Sequence, residues 1–119
     1  MKNTATLIGY KKCSTCKNIE TILKDKDIDY TYREIDKDSP SVEEIKAWHE
    51  VTELPLKKFF NTSGLVYKEK GLAKTLQNYT IDEQYELLAS DGMLVKRPIL
   101  LVNEQVYVGP QVKKYLENI

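Results

Sequence analysis

The sequence predicts an α/β fold, and three observations support this prediction. A short apolar, β-like run at residues 6–9 precedes a helical pattern and then an alternating strand at residues 30–35. Helical patterns continue from about residue 41 to about residue 90, and the chain closes with two strands and a helix. We therefore expect the order β-α-β, a helical insertion and β-β-α, within a single domain of 119 residues.

The first third of the chain is typical of a βαβ unit. The run Thr6-Leu7-Ile8-Gly9 has β character, and we expect it to form a central strand. From Cys16 onward the apolar residues share one helical face, and a charged stretch at residues 25–29 ends the helix. The segment Tyr30–Ile35 alternates and is rich in aromatic and β-branched residues, which indicates the second strand.

The middle block begins with two alternative helix starts. Ser39 before Pro40 fits an N-cap followed by proline at the first helical position, whereas Ser41 with Glu44 fits a capping box. Either start leads into a helix whose buried side carries Ile45 and Trp48 and whose end carries His49, expected at the surface.

The rest of this block continues with helical signals. Residues 54–60 are expected to be helical, residues 61–64 form a turn, and Leu72, Leu76 and Tyr79 have helical spacing. A capping box at residues 80–83 opens a further helix. Its expected inward-facing residues are Ile81, Tyr85 and Leu88.

The C-terminal part completes the predicted sheet. Pro98–Val102 reads as a strand, with the proline at its start, where a missing N–H does least harm. Asn103-Glu104 turns the chain into an antiparallel partner at residues 105–109, and a helical stripe follows. This is a thioredoxin-like order, with a core of about residues 1–40 and 91–119 and a helical insertion of about residues 41–90.

The motif Cys13-Ser14-Thr15-Cys16 holds both cysteines of the chain, between a predicted strand and a predicted helix. The free N–H groups and the positive dipole end of a helix N-terminus favour a thiolate. Lys11, Lys12 and Lys17 add positive charge nearby, so we expect the pKa of Cys13 to fall from about 8.5 into the range of about 3.5–7.5. One turn later, Cys16 is expected to be less exposed, with a higher pKa.

Two other interpretations of the cysteine pair stay open. In the first, both cysteines are buried and have only a structural role. In the second they bind zinc, but a zinc site needs four ligands and His49 is the one other soft ligand in the chain. The thiol–disulfide interpretation makes Cys13 the attacking thiol and Cys16 the resolving thiol.

Charge and hydropathy limit the functional classes. The chain has 18 Lys and Arg and 18 Asp and Glu, so no overall charge directs it to nucleic acid or an anionic membrane. No apolar run approaches about 20 residues, and the first one is too short and polar for a secretory signal. We therefore expect a cytoplasmic monomer without resident cofactor or metal, in a compartment where C-x-x-C is usually catalytic or sensing.

Four stretches carry a resemblance to a known family: residues 10–16, 56–64, 87–98 and 108–109. In them the chain resembles the ArsC/Spx family, which contains glutaredoxin-linked arsenate reductase-like proteins and Spx-type redox regulators. It looks most like the small uncharacterised arsenate reductase-like group of Gram-positive bacteria. The resemblance implies a thioredoxin-like fold with an inserted helical subdomain, and a site formed by Cys13 and Arg97 beside a cis Pro98.

The chain departs from this family's arsenate reductases in their three arginines. Arg97 matches one, while Asn61 and Gly109 stand at the other two positions. An oxyanion prefers charge-assisted and bidentate donors, which Lys57, Lys58 or Lys96 would replace only as point charges. This argues against arsenate as the substrate. The phosphatase-like arsenate reductases need an Arg six residues after the cysteine, where this chain has Ile19.

Two functional hypotheses follow. In the first, the protein is a thiol–disulfide oxidoreductase, and Arg97 holds an anionic group or stabilises the Cys13 thiolate; a surface ion pair is the alternative role for this arginine. Thioredoxin, bacillithiol or glutathione would then be the reductant. In the second, implied by the resemblance, it is an Spx-type redox-sensing regulator that binds the RNA polymerase α-subunit and contacts DNA only through that partner.

Overall fold

The structure, a computed structural model, describes residues 5–119; residues 1–4, which the predicted core included, lie outside the described residues. Four strands and six α-helices are described. They are β1 (Ala5–Gly9), α1 (Ser14–Asp25), β2 (Tyr30–Glu34), α2 (Val42–Thr52), α3 (Leu65–Glu69), α4 (Leu72–Thr75), α5 (Ile81–Ser90), β3 (Ile99–Val102), β4 (Gln105–Val108) and α6 (Pro110–Glu117). Short 3-10 helices cover Leu56–Phe59, Leu76–Asn78 and Gly92–Leu94.

The strands form one mixed sheet in the order β2-β1-β3-β4. β1 pairs in parallel with β2 and antiparallel with β3, and β3 pairs antiparallel with β4. The prediction of β1 as a central strand is therefore confirmed, as is the fold class, an α/β thioredoxin-like sheet with inserted helices. A cis peptide bond joins Arg97 to Pro98 directly before β3, as the family resemblance implied.

Helices α1 and α6 supply the apolar side chains that cover one face of this sheet. Alternation along β1 and β3 puts every second residue on that face, and the register sets Leu7 opposite Leu100. The helices contribute residues at i, i+3, i+4 or i+7 spacing. The buried cluster consists of Ala5, Leu7, Ile19, Leu23, Leu100, Val102, Val112 and Leu116.

The chain divides into two compact units. The first comprises the chain up to Ile35 together with Arg97–Ile119, and it holds the whole sheet. The second, Asp36–Lys96, is helical, and within it Phe60 and Val95 form an isolated antiparallel bridge. No helix in the described part of the chain has the length and apolar character needed to cross a membrane.

The second unit decides between the two helix starts left open by the sequence. Ser41 is the N-cap of α2: its hydroxyl accepts from the Glu44 N–H and the Glu44 carboxylate accepts from the Ser41 N–H. The same reciprocal pair forms between Thr80 and Glu83 at the start of α5, where a capping box was predicted. Ser39 does not cap the helix, because α2 begins only at Val42.

Some predictions for individual side chains were wrong. Ile81, expected to face inward, is 51% exposed, because the first turn of α5 turns this position outward while Tyr85 and Leu88 are buried. His49 does lie in the last turn of α2, but it is half-buried, and its Nδ1 is 2.7 Å from the hydroxyl of Tyr85.

Candidate functional site

Cys13 occupies the N-cap position of α1. Its backbone is extended (φ −87°, ψ 121°), its N–H donates to the Tyr10 carbonyl at 2.9 Å, and its own carbonyl accepts from the Lys17 N–H at 3.1 Å. These bonds fix the turn between β1 and α1. The half-buried Cys13 thiol is thereby held beside the first N–H groups of the helix, which lack carbonyl partners within it.

The surroundings of Cys13 favour its thiolate. Burial alone raises the pKa, but hydrogen bonds from the Cys16 N–H, the Cys16 thiol and the Thr15 N–H, together with the charge of Arg97, outweigh it. The net effect is a pKa below the ordinary value for a thiol. This direction agrees with the prediction from the sequence, and a lowered pKa increases the share of thiolate, the form in which a cysteine acts as a nucleophile.

Cys16 has the opposite character. Its side chain is 0% exposed, and burial raises its pKa to about 11, although the Tyr10 N–H lies 3.5 Å from the sulfur and Arg97 opposes the shift. The neighbouring Cys13 raises it further, by hydrogen bonding and by its charge. Both cysteines are free thiols. Cys16 is the less exposed of the two thiols, as expected, and its surroundings shift its pKa in the opposite direction from that of Cys13.

Gly9 allows the helix to approach the sheet at this point. A Cβ atom at position 9 would be 3.0 Å from the Cys16 Sγ and 2.7 Å from the Tyr32 hydroxyl. Real Cβ atoms essentially never come closer than 3.0 Å to another heavy atom. The end of β1 therefore needs a residue without a side chain, because α1 brings Cys16 directly against its backbone.

Arg97 supplies the positive charge of the site. Its Nε and Nη1 atoms are buried and have no hydrogen-bond partner, and its guanidinium carbon is 5.1 Å from the centre of the Tyr10 ring. Pro98 is buried, and its carbonyl accepts a hydrogen bond from the Gly109 N–H at 2.8 Å. Buried guanidinium nitrogens without partners are donors available to an anionic group.

The three lysines near Cys13 lie at the surface. Lys11, Lys12 and Lys17 are exposed, and the charge among the principal causes of the lowered Cys13 pKa is that of Arg97. The Lys11 ammonium lies 3.9 Å from the centre of the Tyr32 ring, a cation–π contact. Solvent screens exposed charges such as these more strongly than the Arg97 guanidinium, two of whose nitrogens are buried.

Three residues of the site were not singled out from the sequence: Gly9, Tyr10 and Tyr32. A signal for Tyr32 was present, because the alternation in β2 places Tyr30 and Tyr32 on the same face of the sheet as Leu7, their core neighbour. Of the other two family arginine positions, Gly109 is the N-cap of α6 with φ 58°, a value that favours glycine, and Asn61 belongs to the second unit.

The site brings together two free thiols and the guanidinium of Arg97. One thiol is partly exposed with a lowered pKa, and a second thiol, whose pKa burial raises, is hydrogen-bonded to it. Within residues 5–119, no three His, Cys, Asp or Glu side chains come together in a way that could hold a metal ion.

Comparison with known proteins places this site in a family context. The model of the ArsC family matches residues 8–118. The uncharacterized protein YusI of Bacillus subtilis is 44% identical over 113 residues, which cover 95% of this chain and 96% of that protein. The regulatory protein MgsR of the same organism is 27% identical over 92% of this chain and 85% of its own length.

Solved structures give the same picture. A protein from Bacteroides fragilis described as ArsC family related superposes with a TM-score of 0.88 and 46% identity, covering 98% of both chains. A possible arsenate reductase from Streptococcus mutans superposes with a TM-score of 0.84 and 42% identity, covering 90% of this chain and 91% of its own.

Proposed function

Since the chain belongs to the ArsC family, we propose that it is a thiol–disulfide oxidoreductase in which Cys13 attacks and Cys16 resolves. The observation that carries this proposal is the contrast between the two thiols. Cys13 is half-buried with a lowered pKa, and Cys16 is fully buried with a pKa of about 11. In such pairs the more acidic, accessible thiol usually attacks, and the buried thiol resolves the mixed disulfide.

The reaction has two steps. The Cys13 thiolate attacks one sulfur of an oxidised substrate, forms a mixed disulfide and expels the other half of the substrate as a thiolate, which takes up a proton. The Cys16 thiol then loses its proton and attacks the Cys13 sulfur, and the remaining half leaves as a thiol. The substrate gains two electrons, and the enzyme holds a Cys13–Cys16 disulfide.

A reductant outside the chain must then restore the dithiol. Thioredoxin, bacillithiol or glutathione can supply the two electrons by the same exchange in reverse. No resident cofactor takes part, and a single copy of the chain contains both sulfurs.

Arg97 is proposed to stabilise the Cys13 thiolate and to receive an anionic group of the substrate. Its partnerless Nε and Nη1 atoms support this role. We do not assign arsenate as the substrate, because the chain contains one arginine besides Arg97, namely Arg33 in β2. A tetrahedral oxyanion would be held by fewer bidentate donors than the arsenate reductases of this family provide.

Trapping of mixed disulfides tests the proposal. We expect the Cys16→Ser variant to form a stable mixed disulfide with a small disulfide such as oxidised glutathione, since Cys13 attacks and nothing resolves the product. The Cys13→Ser variant is the matched control and should form none, because the remaining thiol is buried and protonated. Mass spectrometry of the intact protein gives the result.

Two outcomes would contradict the oxidoreductase. One is that Cys16→Ser reacts no faster than free glutathione at the same pH. The other is that the wild-type protein, once oxidised, shows no loss of two hydrogens that marks an internal disulfide. Assays of the same protein with arsenate and each thiol donor test arsenate reduction as a separate question.

A second candidate function is redox-dependent regulation, and the match to the regulatory protein MgsR over 92% of this chain favours it. In this alternative, the Cys13–Cys16 disulfide changes the start of α1, and a partner protein distinguishes the two states. The expected partner is the RNA polymerase α-subunit, with DNA contacted only through it. Capture of purified α-subunit by the reduced and the oxidised protein provides the test. Equal capture in both states, or none, rules the alternative out.

A further inference from the structure

The hydroxyl of Tyr32 is buried and has no hydrogen-bond partner. Buried polar groups are nearly always paired, so an unpaired one needs an explanation, such as a role in another chemical state of the site. Tyr30, two residues earlier on β2, shows the ordinary arrangement: its hydroxyl donates to the Glu20 carboxylate at 2.7 Å.

The Tyr32 hydroxyl and the Cys16 sulfur flank the same point of the backbone. A Cβ atom on Gly9 would be 2.7 Å from the hydroxyl oxygen and 3.0 Å from the Sγ atom. The register of the parallel pair accounts for this, because Tyr32 lies opposite Leu7, two residues before Gly9. The Lys11 ammonium covers the ring at 3.9 Å from its centre.

We propose that Tyr32 is a hydrogen-bond donor to the resolving sulfur, and that its hydroxyl pairs with Cys16 Sγ when that sulfur becomes negatively charged. This inference rests on the proposed function and deepens it. In the dithiol state the hydroxyl has no partner, and a Cys16 thiolate would be a far stronger acceptor for it than the neutral thiol is. The bond then forms as charge develops, which is the condition for it to accelerate the step.

The step concerned is the resolution of the mixed disulfide. Cys16 loses its proton, its sulfur attacks the Cys13 Sγ, the bond between Cys13 and the substrate sulfur breaks, and the departing sulfur takes up a proton. Tyr32 keeps its own proton throughout. Burial raises its pKa first of all, and the nearby charges of Cys16, Glu20 and Cys13 raise it further, so the phenol remains a donor.

Five titratable or charged groups near Tyr32 and Cys16 can affect the pH dependence of the resolving step. The titratable and charged groups that face Tyr32 and Cys16 are Lys11, Cys13, Glu20, Glu34 and Arg97. A Tyr32→Phe substitution leaves all of these in place and removes a single oxygen. A shift in the pH profile of the resolving step in this variant therefore reports on the acidity of Cys16.

A two-phase reaction with 5,5′-dithiobis(2-nitrobenzoate) tests the proposal. The first nitrothiobenzoate released from the reduced, full-length protein reports attack by Cys13, and the second reports resolution by Cys16. We expect Tyr32→Phe to leave the first release unchanged. The second should slow about tenfold, with its pH midpoint raised by about one unit, the effect of losing one hydrogen bond to a charged group.

Tyr30→Phe is the matched control, since it removes a hydroxyl from the same strand that pairs with Glu20 and not with a cysteine. It should leave both releases unchanged. Removing an unpaired buried hydroxyl does not destabilise a protein, so Tyr32→Phe should unfold at a urea concentration no lower than the wild type does. A slower second release cannot then result from unfolding.

The proposal is overturned if the second release has the same rate and pH midpoint in Tyr32→Phe as in the wild type. Equal slowing in Tyr30→Phe would overturn it as well. Failure of the proposed function has a different signature: the wild-type protein would release no second equivalent, or would release the first no faster than glutathione does.

Discussion

Cys13 and Cys16 differ in what each sulfur faces, although they are three residues apart. The Cys13 sulfur faces N–H groups of the first turn of α1 and the charge of Arg97, all of which favour a thiolate. Cys16 lies one turn deeper, where burial disfavours charge and the Tyr10 N–H is 3.5 Å from its sulfur. The helix start thus separates the acidities of two otherwise identical side chains.

The acidity of Cys16 depends on the state of Cys13. Burial is the largest cause of its raised pKa, but a hydrogen bond to Cys13 and the negative charge of Cys13 add to it. In a mixed disulfide the Cys13 sulfur has no negative charge, and it is a weaker hydrogen-bond acceptor than a thiolate. The pKa of Cys16 should then fall, so the resolving thiol becomes more reactive only after the first step has occurred.

Replacing Arg97 tests the cause of the acidity of Cys13. We expect Arg97→Gln to raise the pH midpoint of Cys13 alkylation by about half a unit to one unit, because the guanidinium charge stabilises the thiolate. Alkylation by iodoacetamide as a function of pH, in a Cys16→Ser background, gives this midpoint.

Lys12→Gln is the control for this measurement, since it removes an exposed positive charge one residue before Cys13. The midpoint should stay within about a tenth of a unit of the parent value, as expected for a solvent-screened charge. A larger shift from Lys12→Gln than from Arg97→Gln would contradict the assignment to Arg97.

The position of α1 depends on the packing of one helical stripe. Cys16, Ile19 and Leu23 are buried on a single face, and that face meets the sheet at the end of β1, where Gly9 leaves room for it. The stripe that anchors the helix also carries the resolving sulfur. A change in the packing of α1 would therefore move Cys16 relative to Tyr32 and the Tyr10 N–H.

The capping boxes of α2 and α5 make a testable contribution to stability. We expect Thr80→Ala to lower the free energy of unfolding by about 1 kcal/mol, because the Glu83 N–H loses its acceptor, now at 3.1 Å. Urea denaturation followed by circular dichroism measures the change.

Thr21→Ala is the matched control, because Thr21 is exposed in the middle of α1 and donates to the Lys17 carbonyl of its own helix. Alanine is the better helix former, so this variant should be as stable as the wild type within about 0.5 kcal/mol. Equal losses of unfolding free energy in Thr80→Ala and Thr21→Ala would show that the capping box adds no stability beyond that of an ordinary side-chain hydrogen bond.

Global stability should depend on pH through the buried thiol. Cys16 has a pKa of about 11 in the folded protein, above the value of about 8.5 for an exposed thiol. Between these values the unfolded chain releases a proton that the folded one retains, so the free energy of unfolding falls as pH rises. The contribution reaches at most about 3 kcal/mol near pH 11.

Comparison of the reduced wild type with Cys16→Ala isolates this effect. We expect the stability advantage of the wild type over Cys16→Ala to shrink as the pH is raised from about 8 to about 10.5, as measured by urea denaturation under reducing conditions. Leu23→Ala, a buried substitution on the same helical face, should differ from the wild type by a constant amount across this range. A constant difference for Cys16→Ala would contradict a raised pKa.

Local patterns in the sequence determined most of the fold. The alternation in β2, the stripe in α1, the capping signals at Ser41 and Thr80 and the apolar run of β1 are each properties of neighbouring residues, and each element formed where these signals lie. The same locality explains the prediction of the thiol pair, since Cys13 and Cys16 are one helical turn apart. The exposure of Ile81 was not predicted, because spacing defines a helical face only approximately in the first turn of a helix.

The tertiary structure decided which side chains surround the sulfurs. Arg97 is 84 residues from Cys13 along the chain, and the Tyr32 hydroxyl comes to the Gly9 position beside Cys16 because β2 pairs in parallel with β1. Nor does sequence spacing say that three lysines beside Cys13 stay in solvent while two nitrogens of a distant guanidinium are buried. Burial and charge–charge distance are properties of the packed chain, and they set the acidity on which the proposed chemistry depends.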